Sequence, residues 1–430
     1  MISYTNPVKG ALSPADVDRA PLVPQRFALR NGKVVYYFAD SHIELMKIDF
    51  IFNVGTALQT KMMQAAAAIN LMANGTQRHS SSEIAEFLDF RGIIMEKTND
   101  EVSSTLTVYC MPRYLDELLP LVREMVEEAV YPQEEFDIFI AKRKQKLMSN
   151  MQRTSYVARK RFMECLYGPK HPMGRFAVPG DLDLLTVQDA REFHRRYLDF
   201  AHLDMVVGGA VTKDGLAVFD KVFGDCECAG YEVVALPEPG DAVSGLQKVR
   251  VPDAVQTTLR VGRRLPFKWN DVDYSRFMVV STLLGGHFGS RLMSNIREDK
   301  GYTYGIHAMT QVRRGSIDFF ITTDVAADKA EPALKEIFLE MERLCSEPVG
   351  KEELELVRNC MLGDFMRSVD GVFERSERFC QMMTSGVTEQ FTDNYMSVLE
   401  VGVTTSDDVM SMAQRILRQE DMTVVMAGDC

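Results

Sequence analysis

The order of apolar and polar positions along the chain predicts a series of strands and helices. Residues 46–54 alternate between apolar and mostly polar side chains, which is the period of a strand with one face in the core. Before them, Asn31-Gly32 lies between two apolar runs, a pattern typical of a β-hairpin with a type I′ turn. Residues 64–72 are rich in alanine and apolar on most sides, which indicates a buried helix.

Further elements of the first half follow from capping residues and from the same two periods. Ser80 and Glu83 have the spacing of a helix N-cap, and Gly92 is expected to end that helix. The remaining predicted elements are strands at 102–110 and 205–211, an amphipathic helix at 115–129, one long helix at about 133–166 and a shorter helix at 189–197.

A run of basic residues lies on the predicted long helix, at Lys142, Arg143, Lys144 and Lys146. Such a run is usually a solvated helix face, and the alternative is that it lines a groove for acidic ligands. The sequence leaves both interpretations open.

The second half of the chain repeats the first. Residues 105–148 and 320–365 both predict a strand, a turn, a helix, a proline and a long helix, with Pro132 and Pro348 in corresponding places. The C-terminal ends of the two halves match at nearly the same offset. An internal duplication therefore explains the similarity better than chance does.

This duplication predicts the domain organisation. Residues 236–245 concentrate proline, glycine and acidic residues without apolar periodicity, which indicates a linker near the middle of the chain. The 430 residues also exceed the length that one hydrophobic core usually serves. We therefore expect an α+β protein of two duplicated domains, residues 1–235 and 236–430, each a mainly antiparallel sheet with helices packed on one face.

Composition narrows the function classes. The 61 acidic and 49 basic residues give a formal net charge of -12, which argues against a nucleic-acid-binding protein. No stretch reaches the roughly 18 apolar residues of a membrane span, and residues 1–24 predict an extended arm without the apolar core of a secretion signal. Only Cys226 and Cys228 of the eight cysteines are close together, so reduced thiols are expected. These features predict a soluble, cytoplasmic protein that binds neither nucleic acid nor membrane.

Candidate chemistry concentrates in the glycine-rich segment at 283–304. Arg297 and Tyr304 lie seven residues apart near its end. A guanidinium and a phenol held by a helix end and the following strand can both donate hydrogen bonds to a carbonyl oxygen. The structural alternative is that Arg297 pairs with Glu298 or Asp299 on the surface and that Tyr304 is a half-buried strand residue.

Motifs along nearly the whole chain resemble those of one family. They are the Asn-Gly hairpin, the Gly75-Thr76 turn before SSSEIAEFLDFRG, HPMGR at 171–175, FHRRY at 193–197 and, most specifically, GG-x-x-x-SRL-x-x-x-IRE-x-x-G-x-x-Y at 285–304. In these motifs the chain resembles the M16, or pitrilysin/insulinase-like, metallopeptidase family in its half-length form.

The resemblance also reveals a missing feature. An active subunit of that family carries H-x-x-E-H on a helix, with two histidine ligands one turn apart and a glutamate that activates a water. Counted back from Gly75-Thr76, the motif falls on residues 66–70, which read Ala-Ala-Ala-Ile-Asn. The third ligand of the family, a glutamate, would fall near 146–149, where no acid is present. We therefore expect this chain to bind no zinc and no other metal.

The histidines offer no replacement site. The seven of them show no pair at helical ligand spacing. His287, inside the glycine-rich segment, is the one we keep as a candidate for a chemical role.

In the two-subunit branch of the family, one subunit holds zinc and the other supplies an arginine and a tyrosine to the substrate carbonyl. The resemblance therefore implies that Arg297 and Tyr304 are catalytic in a complex and that the chain is inactive alone. It implies zinc in a partner subunit with H-x-x-E-H, and peptides as substrates. The residues assigned to substrate binding beside the pair are Gly285, Gly286, Ser290 and Arg291.

Two other functions stay open. The chain could be a non-catalytic peptide-binding or scaffold protein, as a homodimer, because a fold does not guarantee a function. It could also be an autonomous peptidase with a displaced metal site.

Overall fold

The computed structural model describes residues 23–228, 230–231, 235–269, 271–387 and 400–429. Residues 1–22 of the predicted N-terminal arm lie outside this part of the chain. The chain forms two compact units. The first contains Pro24–Asp241 together with Gly371–Gly386, and the second contains Ala242–Asp370 together with Val387–Cys430.

The first unit is built on a six-stranded sheet. Its strands are β1 (Gln25–Ala28), β2 (Val34–Ala39), β3 (Met46–Phe52), β4 (Ile94–Asn99), β5 (Ser104–Cys110) and β6 (Leu203–Gly209). They lie in the order β1-β2-β6-β3-β5-β4, so β4 is an edge strand. β2 and β6 pair in parallel, and the other neighbours pair antiparallel.

The first unit also contains helices, and several of them bury apolar side chains in the core on one face of the sheet. They are α1 (Gln64–Leu71), α2 (Ser81–Arg91), α3 (Leu115–Glu128), α4 (Gln133–Met151), α5 (Thr154–Tyr167), α6 (Pro179–Leu184), α7 (Val187–Tyr197) and α8 (Lys213–Phe223). The prediction of one helix over 133–166 is wrong, because Arg153 has extended backbone angles, φ -90° and ψ 124°, and separates α4 from α5. The helix capped by Ser80 and ended by Gly92 is confirmed as α2.

The first hairpin forms with a different turn from the one predicted. Gly32 N donates to Leu29 O at 2.9 Å, and Gly32 has φ 85°, whereas Asn31 is not in the left-handed region that a type I′ turn requires. The Asn31 side chain explains the difference, since its amide donates to Phe223 O at 2.8 Å and Cys226 O at 3.0 Å. Tertiary hydrogen bonds therefore select the turn.

The second unit repeats the sheet of the first. Its strands are β7 (Gly245–Arg250), β8 (Gln256–Leu265), β9 (Thr303–Arg313), β10 (Ser316–Ala326) and β11 (Thr423–Gly428), in the order β7-β11-β8-β10-β9. β7 and β11 pair in parallel and the others antiparallel, the same pattern as β2-β6-β3-β5-β4. The predicted α+β fold of two duplicated sheets is confirmed.

The second half also contains helices at corresponding places. They are α9 (Val272–Ser281), α10 (Ala330–Ser346), α11 (Lys351–Asp370), α12 (Val372–Ser385) and α13 (Ser406–Ile416), with π-helical segments at Thr282–Gly286 and Met293–Asp299. The second core lies between the sheet and α9, α10 and α13, and includes the fully buried Phe277, Phe319 and Ile337.

Helix α12 belongs with the first unit, although its sequence lies in the second half. It covers the sheet face opposite the first core, where its Phe379 ring centroid is 5.1 Å from that of Tyr36 and 6.0 Å from that of Phe38. The division at 235/236 is therefore corrected for residues 371–386. The physical reason is that α12 buries the aromatic side chains on the outer face of β2, which would otherwise be exposed to water.

Candidate functional site

The glycine-rich segment connects α9 to the edge strand β9 in the second unit. A Cβ on Gly285 would lie 2.6 Å from Ala308 N and 2.8 Å from Ala308 Cβ, so only glycine lets the segment pack this closely on β9. The π-helical segment Met293–Asp299 is followed by a turn at Gly301, whose φ is 63°. This turn leads directly into β9.

Arg297 and Tyr304 line one open groove of about 830 Å³ in the second unit. Arg297 comes from the π-helical segment and Tyr304 from the start of β9, so the two predicted catalytic side chains are brought together. Val255, Phe288 and Asp324 also line the groove.

The Arg297 side chain is held by weak contacts. Its Cζ lies 4.7 Å from the ring centroid of Phe288, and its Nη1 lies 3.8 Å from Glu298 Oε1. The pair with Glu298 expected by the structural alternative is thus present at a long distance and at a half-exposed position. Such a pair contributes little to stability, so Arg297 is free to donate to a ligand.

Tyr304 lies fully on the surface. It is 96% exposed, and the structural alternative of a half-buried strand residue is therefore wrong. Its hydroxyl makes no hydrogen bond within the described part of the chain. A phenol in this setting has its donor available for a ligand in the groove.

The four residues assigned to substrate binding lie outside the groove lining. Gly285 and Gly286 are packing positions, since a Cβ on Gly286 would lie 3.2 Å from Thr282. Ser290 is buried, with 1% exposure. Arg291 donates to both carboxylate oxygens of Glu353, at 2.8 and 2.9 Å, and these hydrogen bonds raise the pKa of the guanidinium. All four shape the segment that presents Arg297.

Phe288 and Asp324 are site residues that sequence reasoning missed. Phe288 is 66% exposed, and the signal for it is a large apolar residue between glycines in the segment already singled out. Asp324 sits where the pairing of β10 with β9 shifts register between Thr323 and Val325. A bulge of this kind depends on pairing across strands and leaves no local sequence signal.

The residues at the expected zinc position do not fit a metal. Positions 66–69 are apolar, and Asn70 uses its amide nitrogen to donate to Ala66 O at 2.8 Å. Arg143 Nη2 donates to Asn70 Oδ1 at 3.2 Å, which places a cation where a metal would need an anionic or neutral ligand. Within the described residues, no group of three or more His, Cys, Asp or Glu side chains could hold a metal ion.

Three histidines from the family-like motifs each form a hydrogen bond with a main-chain carbonyl. His194 is buried between Tyr131 Oη, at 2.6 Å from Nδ1, and Val126 O, at 2.7 Å from Nε2, and burial lowers its pKa. His171 Nε2 donates to Pro237 O at 2.9 Å. His287 Nδ1 donates to Thr282 O at 3.0 Å. The described contacts of His287 are those of a turn residue.

Known proteins resemble the chain over most of its length. Residues 184–361 match the family described as "Peptidase M16 inactive domain". An uncharacterized zinc protease of Rickettsia felis is 21% identical over 358 residues, covering 81% of this chain and 84% of its own. A probable inactive metalloprotease of Bacillus subtilis is 21% identical over 249 residues, covering 58% of this chain and 57% of its own.

A solved structure shows the same architecture. The crystal structure of a peptidase M16 inactive domain from Pseudomonas fluorescens has a TM-score of 0.83 at 18% identity, covering 95% of this chain and 98% of that one. The fold is thus that of the half-length, duplicated M16-like proteins. The chain is thus similar to M16 peptidase proteins in sequence and in fold, and residues 66–70, where the H-x-x-E-H zinc motif would fall, read Ala-Ala-Ala-Ile-Asn.

Proposed function

We propose that this protein is a zinc-free subunit of an M16-type peptidase and that Arg297 and Tyr304 bind the carbonyl of a peptide cleaved at a partner subunit. The partner would carry H-x-x-E-H. The peptide would be extended, because main-chain hydrogen bonds give affinity with little sequence preference.

The chemistry assigned to the pair is electrostatic. When a nucleophile attacks a peptide carbonyl, negative charge develops on its oxygen, and donors that already point at that oxygen lower the barrier. A guanidinium and a phenol hydroxyl are both donors that need no proton transfer to act. They can therefore work from a chain that holds no metal.

The observation that carries the proposal is that Arg297 and Tyr304 share a groove with exposed apolar side chains. Val255 is 88% exposed and Phe288 66% exposed. Large apolar side chains gathered on a surface are typical of interaction sites. The groove thus offers two free donors beside a surface suited to a peptide or a partner chain.

A reconstitution experiment tests the proposal. The purified chain, a zinc-bearing M16 subunit from the same organism and their mixture are each assayed with a fluorogenic peptide. We expect turnover in the mixture and none from this chain alone. Turnover by this chain alone, together with stoichiometric zinc in it, would instead support the autonomous peptidase.

Variants assign the effect to the pair. Arg297→Ala and Tyr304→Phe should each lower turnover in the mixture, whereas Arg418→Ala should not, because Arg418 is an exposed arginine of the same unit outside the groove. If both groove variants match the wild type, the assigned role is wrong.

A non-catalytic peptide-binding or scaffold protein is the second candidate. It is favoured by the match to a domain described as inactive and by the relative named as a probable inactive metalloprotease. A homodimer that binds peptides and activates no zinc-bearing subunit would support it. An adjacent reading frame for an H-x-x-E-H relative would favour the first candidate.

The proposal also includes the cellular location of the protein. No helix in the described ranges is long and apolar enough to cross a membrane. The cysteines of those ranges are free thiols, which suits a reducing compartment, and we place the protein in the cytoplasm.

A further inference from the structure

A second cavity lies in the first unit, beside the helix on which the zinc motif would fall. It encloses about 370 Å³ between α1, α4, α5 and the loop after α5. Ala66, at the start of the expected motif, lines its wall. The cavity therefore occupies the place where the family resemblance puts metal chemistry.

The lining of this cavity is strongly basic. Arg143, Lys146, Arg159 and Arg175 all line it, against the single carboxylate of Glu101. No ion pair joins any of these four cations to an acid of the described residues, although many other basic residues of the unit are paired. These four cations without an ion pair share one cavity.

Two of the cations are positioned by contacts with uncharged groups. Arg143 donates to Asn70 Oδ1 and stacks on Phe139, with Cζ 5.1 Å from the ring centroid, and burial lowers its pKa. Arg175 donates to Thr56 O at 3.3 Å, while its buried Nε has no hydrogen-bond partner. Removing a cation from water without a counter-charge is unfavourable, so an anionic ligand would be stabilising here.

The edge strand β4 of the first unit's sheet borders this cavity. Asn99, the last residue of β4, lines the cavity, and within the described residues β4 pairs only with β5. Lys97 lies two residues earlier on the same face of β4, and burial lowers its pKa. An extended peptide paired with this edge strand would therefore lie beside Lys97 as well as beside the four cations of the cavity.

We propose that this cavity binds a carboxylate of an extended peptide, through Arg143, Lys146, Arg159 and Arg175. The site replaces metal binding by anion binding at the same place in the fold. It goes beyond the role of Arg297 and Tyr304, which lie in the other unit, and does not depend on it.

The test is fluorescence anisotropy with the full chain and no second subunit. The probes are a short labelled peptide with one central glutamate and its glutamine counterpart, each with a free or an amidated C-terminus. We expect the forms with a carboxylate to bind at least about tenfold more tightly, as charge-assisted hydrogen bonds predict, and to weaken with salt. The four peptides tell whether the side chain or the C-terminus supplies the carboxylate.

Variants locate the binding. Lys146→Gln and Arg159→Gln change exposed side chains, so these variants should keep the fold and bind the acidic peptide more weakly. Arg143→Lys should retain part of the affinity that Arg143→Gln loses. The matched control is Lys142→Gln, because Lys142 is an exposed neighbour on α4 outside the cavity and should bind as the wild type.

Three outcomes would overturn the proposal. The amidated glutamine peptide could bind as tightly as the others, or the cavity variants could match the control. Inorganic phosphate or a short oligonucleotide could displace the peptide at a lower concentration than a free acidic peptide does, which would make the cavity a phosphate site. Since no peptidase partner is present, failure here leaves the reconstitution experiment unaffected, and the reverse also holds.

Discussion

At the scale of single residues, the outer face of β3 shows how charge is accommodated in this fold. Lys47 and Asp49 are both buried, with side chains 4% exposed, and Lys47 Nζ lies 3.2 Å from Asp49 Oδ2. Burial works to lower the pKa of Lys47, but Asp49 and Glu377 outweigh it and raise the pKa above its usual value. Lys47 is therefore a fixed cation between two acids.

Removing this cation should destabilise the first unit. Lys47→Ala would leave the carboxylate of Asp49 buried without its ion-pair partner, and we expect a loss of about 3–5 kcal/mol in the free energy of unfolding. Urea denaturation of the variant and the wild type measures the difference. The control is Lys221→Ala, since Lys221 and Asp116 are 74% and 66% exposed and should contribute less than about 1 kcal/mol. Equal effects of the two substitutions would contradict the account of Lys47.

Local sequence could not reveal this ion pair. The alternation of Met46, Ile48 and Phe50 with Lys47 and Asp49 predicts a strand with a polar, solvated face. The strand is real, but all seven residues of β3 are buried. Helix α12, which covers the outer face of β3, lies more than 300 positions later in the chain. The periodicity of a short stretch of sequence carries no information about such a distant partner.

At the scale of elements, the glycine-rich segment shows what sequence can predict of a site. The concentration of glycines, together with Arg297 and Tyr304 at their spacing, is visible in the sequence, and the two side chains do share a groove. The roles of Ser290 and Arg291 were not visible, because Glu353, which binds Arg291, comes from another helix. The sequence thus predicts donors better than it predicts which polar residues are already engaged.

The close packing of this segment on β9 can be tested with two glycines. Gly285→Ala would force a Cβ against the backbone of Ala308, and we expect a loss of about 1–3 kcal/mol in the stability of the second unit. Gly289→Ala is the matched control, since its Cβ would lie 3.6 Å from its nearest neighbour, His287 Nε2, which is an ordinary van der Waals contact. Thermal unfolding compares them, and a control as unstable as Gly285→Ala would refute the steric argument.

At the scale of the whole molecule, the duplication is the part of the fold that sequence predicts best. The repeated order of strand, turn, helix and proline predicts two similar domains, and the two sheets do share one topology. The reason is that each half of the sequence carries its own pattern of core residues. The placement of residues 371–386 was not predictable, since a helix that follows α11 by one residue would be expected to stay in the second unit. The helix packs instead on the aromatic side chains at the outer face of β2.

The placement of α12 can be tested through Phe379. Phe379 is 2% exposed, and we expect Phe379→Ala to lower the free energy of unfolding by about 3–5 kcal/mol. Hydrogen exchange should show lost protection in the strands of the first unit, although the substitution lies in the second half of the sequence. The matched substitution is Phe277→Ala, in the core of the second unit, which should instead deprotect β8 and β10. Lost protection confined to the second unit in both variants would contradict the assignment of α12.

The central claim is that this chain supplies donors to chemistry performed on another subunit's metal. Its most direct test is kcat and KM for a fluorogenic peptide, measured for the reconstituted complex with wild type, Arg297→Ala and Tyr304→Phe. Removing one such donor typically lowers kcat by about 10²–10³-fold. We predict a fall of that order for Arg297→Ala and a smaller one for Tyr304→Phe, with KM little changed, because the donors act on charge that develops in the transition state. Unchanged kcat in both variants of an active complex would contradict the claim.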